Sequence, residues 1–138
     1  MTPTDTPDRL ATGIPNLDGI FGGGLPRGSV TVVSGPPGSG KTILTQQMCF
    51  TRAASDQRVL CFNTLSEPTA KTLRHLHPFG FFDLRKVDSQ IQFVDLGIML
   101  RTRALEGAIG LIMEHVKKVK PALIVIDSFK VFDDLASS

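Results

Sequence analysis

Apolar positions along this chain alternate between two periods. Val30-Thr31-Val32-Val33, Val59-Leu60-Cys61-Phe62, Ile91-Gln92-Phe93-Val94-Asp95 and Ala122-Leu123-Ile124-Val125-Ile126-Asp127 are short β-favouring runs. Between them the apolar residues recur at helical spacing. Ile43, Leu44 and Met48 are apolar where Gln46 and Gln47 are polar. Leu73, Leu76 and Phe79 follow the same rule, and Leu105, Ala108, Ile109, Ile112, Val116 and Val119 form one long stripe. Lys117, Lys118 and Lys120 crowd the end of that stripe, where cations complement a helix dipole, and Pro121 stops it. Strands that alternate with helices, and are apolar enough for burial on both faces, predict a parallel sheet in an α/β fold.

Turn residues set the boundaries. Residues 1–8, rich in Thr, Pro and Asp, predict a disordered N-terminal tail, and residues 9–138 a single domain. The segment from Thr12 to Phe21 reads as a turn and a short helix, with Asn16 after Pro15 as its cap. Gly22-Gly23-Gly24 ends that helix, and Leu25-Pro26-Arg27-Gly28 turns the chain into the first strand. Pro68 suits a first helical turn, capped by Ser66 or Glu67. Gly80 punctuates the next stretch, and Phe81, Phe82 and Leu84 read as a packed connection.

Composition narrows the classes. The 138 residues suffice for one buried core, and 41% hydrophobic with 20% charged residues is the usage of a soluble globular protein. A net charge of +2 does not argue for nucleic acid, so DNA is not an expected partner. No apolar run reaches the length of a membrane span and the N-terminus lacks a signal pattern, so a cytoplasmic protein without a membrane partner is expected. Cys49 and Cys61 lack metal-ligand spacing and read as reduced core residues. His75 and His77, two apart, share no helix face with a third ligand, and His115 flanks the apolar stripe as a structural residue.

One segment carries chemistry by itself. Gly35-Pro36-Pro37-Gly38-Ser39-Gly40-Lys41-Thr42 matches G-x-x-x-x-G-K-[ST], between a β-favouring run and a helical pattern that begins with Ile43. In that context the amides from Gly35 to Ile43 are expected to converge on phosphate oxygens, aided by the positive end of the helix dipole. Lys41 is expected to reach the β- and γ-phosphates and Thr42 to hold Mg²⁺. Ligands of open α/β sheets bind at the carboxyl ends of the strands. Two carboxylates fall there. Asp127 fits a Walker B metal ligand, with a turn-capping Asp as the alternative. Glu67 fits a general base for an attacking water, with a helix N-terminal Glu as the alternative.

The run from Thr12 to Asp18, Gly22 to Gly28, Gly35 to Thr42, Leu65-Ser66-Glu67-Pro68, Gly80-Phe81 and Ile126-Asp127-Ser128 closely resembles KaiC-like ATPases of the RecA branch. The resemblance implies a three-layer P-loop fold with a mostly parallel sheet, ATP and ADP as ligands, Mg²⁺, and a homo-oligomer (hexameric at full length) or a protein partner. It also implies a second glutamate beside Glu67, where Ser66 stands instead, so water activation rests on Glu67 alone. Nothing in the sequence marks a site for the autophosphorylation that the kinase member of the family suggests. In this branch a further strand is expected between the Walker B strand and the phosphate-loop strand. Only Ser128 to Ser138 follow Walker B here, so the domain is expected to be truncated after it. The functional expectation is a Mg-dependent ATPase, with a low-turnover assembly or signalling module as the alternative and a RecA/RadA-like DNA-handling ATPase as a further one.

Overall fold

The computed structural model describes residues 8–64, 68–130 and 132. In chain order its elements are β1 (Arg9–Leu10), α1 (Pro15–Ile20), β2 (Leu25–Pro26), α2 (Lys41–Arg52), β3 (Val59–Asn63), α3 (Thr69–Leu76), a 3-10 turn (Leu84–Lys86), β4 (Ile91–Asp95), α4 (Gly97–Thr102), α5 (Ala104–Val119) and β5 (Leu123–Asp127). The later three expected strands form a parallel sheet in the order β4-β3-β5. In register, Val59 stands beside Ile91 and Leu123, and Asn63 beside Asp95 and Asp127. Three polar side chains therefore end the strands in one row.

β3 is the centre of the core because its two faces pack in opposite directions. Val59 and Cys61 join Cys49 and Phe50 of α2, Ala53 just after it, Leu76 of α3, Ile91 and Val125. Leu60 and Phe62 join Leu96, Leu100, Ala108 and Phe132 on the other side, with Leu105, Ile112 and Val116 of α5 packed against them. This is the period-2 alternation of a strand covered by helices on both faces. Burying a side chain the size of Phe50 or Phe62 contributes about 1.5–3 kcal/mol.

The first expected strand is not part of this sheet. Val30-Thr31-Val32-Val33 has no ladder partner among the described residues, and every residue from 26 to 40 is exposed. Val30 is 92% and Val32 81% accessible. β propensity alone does not make a strand; hydrogen-bonded neighbours do, and no described strand lies between this segment and β5. The same openness reaches β5. Its Ile124 is 40% exposed, so this strand is not buried on both faces as its composition suggests.

Smaller differences have local causes. Asn16 does not cap α1, which starts with Pro15 and has no side-chain cap at Ile14. Asp18 serves the turn instead, its carboxylate accepting from the Thr12 amide and hydroxyl (both 2.7 Å) and from the Gly13 amide (3.1 Å). β1 and β2 pair as a small antiparallel ribbon that two-residue strands leave invisible in the sequence. Gly24 lies against it at φ 138°, where a Cβ would sit 2.3 Å from the Leu10 carbonyl oxygen. Pro68 is the residue before α3 rather than its first turn, and α3 stops at Leu76, short of Phe79. Phe81 and Phe82 do pack, with ring centroids 5.8 and 5.4 Å from that of Phe50. Ile109 faces outward at 48% exposure although it belongs to the α5 stripe. No helix among the described residues is long and apolar enough to cross a membrane.

Candidate phosphate and metal site

The loop from Gly35 to Gly40 is shaped by backbone that only glycine adopts freely. Gly38 has φ 79°, and Gly40, the residue that opens α2, has φ 94°. A Cβ at Gly35 would fall 2.7 Å from the Ser39 hydroxyl, so the loop closes on itself at that point. α2 then begins at Lys41 with no side-chain cap, leaving its first amides directed at the loop. Pro36, Pro37, Ser39 and Ile43 complete the segment, all exposed except Ile43, which packs against the core under α2. The Lys41 ammonium donates to the carbonyls of Gly35 (2.6 Å) and Pro36 (3.1 Å), which holds the cation over the loop's own rim.

A hydrogen bond that spans most of the sequence joins the end of the loop to the sheet. The Thr42 hydroxyl donates to Asp127 Oδ2 at 2.8 Å. Two residues chosen separately from the sequence, one beginning a helix and one ending a strand, thus place hard oxygen donors side by side. A hydroxyl and a carboxylate of this kind suit Mg²⁺, which takes few protein ligands and relies on phosphates and water for the rest. Among the described residues there is no cluster of three or more His, Cys, Asp or Glu that would make an all-protein metal cage.

Glu67, with Leu65 and Ser66, lies outside the described residues. The residue just before them was not singled out by the sequence reading. Thr64 is buried at the end of β3, its amide donating to the Asp127 carbonyl at 3.0 Å. Its hydroxyl donates to the Ser128 carbonyl at 2.8 Å and accepts from the Ser128 amide at 2.9 Å. Asp95, the third member of the polar row, accepts from the Gly97 amide at 2.7 Å and starts α4.

Beneath the loop, Gln46 turns inward against the polar pattern of its helix. It is buried, donates from Nε2 to Cys61 Sγ at 3.1 Å, and leaves Oε1 without a partner. Cys49 and Cys61 are both free and buried, as their spacing implied. Hydrogen bonding to Cys61, reinforced by burial, pushes the Cys49 thiol well above its ordinary range, so it stays protonated. His115 bonds the Leu111 carbonyl through Nδ1 at 2.9 Å and meets Phe62 edge-on, a structural position.

A parallel α/β sheet with a glycine-rich loop opening a helix at its carboxyl edge defines the P-loop class of protein. Residues 10–138 match the family model described as "ATPase: KaiC". The chain belongs to the KaiC ATPase family. It is 28% identical over 120 residues to the Circadian clock oscillator protein KaiC of Nostoc sp. strain PCC 7120, covering 87% of this chain and 23% of that protein. It is 34% identical over 121 residues to the Circadian clock protein KaiC2 of Synechocystis sp. strain PCC 6803, covering 87% of this chain and 21% of the relative. To a UPF0273 protein of Methanopyrus kandleri it is 30% identical over 112 residues, covering 81% and 41% respectively. The chain therefore spans less than half the length of each of these relatives.

Proposed function

We propose that this domain binds ATP with Mg²⁺ in the cytoplasm and hydrolyses the β–γ phosphoanhydride. The observation that carries this reading is the 2.8 Å contact between Thr42 and Asp127, which unites the phosphate loop with the Walker B carboxylate. Backbone N–H groups of the segment from Gly35 to Ile43, other than Pro36 and Pro37, which have none, would bind the β- and γ-phosphates, and Lys41 would exchange its two loop carbonyls for phosphate oxygens. Thr42 and Asp127 would hold the divalent cation, which neutralises phosphate charge when bound. Glu67 would accept a proton from water as its oxygen bonds the γ-phosphorus and the bond to the bridging oxygen breaks, giving ADP, phosphate and a proton. Isothermal calorimetry with Mg-ATP on folded protein tests the binding. Phosphate release by the wild type and by Glu67→Gln tests the chemistry. Retained affinity with turnover lowered about 100-fold or more is expected for the variant. Unchanged turnover removes Glu67 from the role of base.

A second reading, a nucleotide-dependent assembly module with negligible turnover, is favoured by the open flank of the sheet. Exposed Val30 and Val32, and the half-exposed Ile124 of β5, suit contact with a further strand or subunit, as in a homo-oligomer. Normal Mg-ATP affinity without phosphate release in the wild type would select this reading over the first.

A further inference from the structure

Thr64 occupies a position that the roles above leave unused. It is 5% exposed, stands one residue past the end of β3, and precedes Glu67 by three positions. The β3–β5 ladder ends with the pair Asn63 and Asp127, so Asp127 is the last residue of its strand that the sheet holds in register. On the other flank of β5 no strand is present among the described residues. Among the described residues, Thr64 ties down the backbone of Asp127 and Ser128. Its amide donates to the Asp127 carbonyl at 3.0 Å. Its hydroxyl spends its only proton on the Ser128 carbonyl (2.8 Å) and an acceptor site on the Ser128 amide (2.9 Å). Two consecutive residues of the Walker B corner are thus tied to one buried side chain and its own amide. Asp127 Oδ2 meets the Thr42 hydroxyl from that restrained backbone.

We propose that Thr64 is a positioning residue whose hydroxyl locks the Asp127–Ser128 corner to β3, so that Asp127 faces Thr42, and thereby sets the divalent-cation dependence of nucleotide binding. This rests on the reading of Thr42 and Asp127 as cation ligands. Valine has the shape of threonine without the hydroxyl, so Thr64→Val removes both bonds to Ser128 while leaving the Thr64 amide in place. Groups that orient a metal ligand from behind typically change metal affinity about 10- to 100-fold when removed.

The test is a titration of the 138-residue chain with a fluorescent ATP analogue, in MgCl₂ and in EDTA. The expected result for Thr64→Val is metal-free affinity within about twofold of wild type, with the gain on adding Mg²⁺ reduced at least about tenfold. Thr64→Ser, which keeps the hydroxyl, is expected to restore that gain. An equal Mg²⁺ gain in Thr64→Val and wild type overturns the proposal. So does a parallel loss of affinity with and without Mg²⁺, the mark of a merely structural residue. Should Thr64→Val fail to give a cooperative melt, Thr64→Ala is read in the same way. If wild type binds the analogue but gains nothing from Mg²⁺, the cation reading of Thr42 and Asp127 falls first, and the role of Thr64 falls with it.

Discussion

The two flanks of β5 show what different kinds of residue contribute to this domain. On one flank β3 supplies a full parallel ladder, and its alternating side chains reach two helical layers, so Val59, Leu60 and Phe62 are wholly buried. On the other flank no strand pairs with β5 among the described residues; the chain from 26 to 40 is exposed throughout, and Thr42, just after it at the start of α2, bonds Asp127. The paired flank is held by apolar area and a complete set of backbone bonds. The open flank is held by local geometry: glycines at positive φ, a lysine folded onto carbonyls, and one hydroxyl-to-carboxylate bond. Stability should therefore come from the first region and ligand chemistry from the second, and substitutions can separate the two.

Phe62→Ala should have the largest effect on stability. It empties the face of β3 toward α5 and is expected to destabilise the fold by about 3–5 kcal/mol, measured by urea unfolding. A loss below about 1 kcal/mol would mean that the paired flank is not the main source of stability. Lys41→Ala should do the reverse. Melting temperature should be nearly unchanged, because among the described residues Lys41 bonds carbonyls of its own exposed loop, while Mg-ATP affinity by calorimetry should fall at least about 100-fold, roughly 2.8 kcal/mol. Comparable affinity in this variant would detach the loop from phosphate binding. Val32→Thr is expected to be the mildest change, within about 0.5 kcal/mol by the same unfolding assay, because the valine is already in solvent. A loss of 2 kcal/mol or more, a core-like value, would show that the segment is covered in solution, for example by another subunit.

The glycine-rich loop and the acid that meets it were legible in the sequence. Lys41, Thr42 and the glycines of the loop stand out because phosphate binding needs backbone approach and positive φ, and those demands write themselves into residue types at fixed spacing. Asp127 stood out because an apolar run ended in an acid at a strand terminus. Thr64 did not, since a threonine after a strand is commonplace and its value lies in contacts with Ser128, 64 positions away. Gln46 read only as a polar residue in a helical pattern, and helix packing buries it against Cys61. The β4 strand and the α5 helix matched their periodic segments closely, whereas α4 and the β1–β2 ribbon are too short for a period to register.

Local chemistry written in the chain determined the α/β alternation, the glycine-rich loop and the acid at the end of β5, because each depends on residue type and near-neighbour spacing. Tertiary structure alone decided that Val30 to Val33 stand outside the sheet. It also decided that β3 is the centre of the sheet and that the Thr64 hydroxyl meets the backbone of Ser128, next to Asp127. Ladder pairing and burial are relations between distant segments, and no single segment carries them in its own sequence.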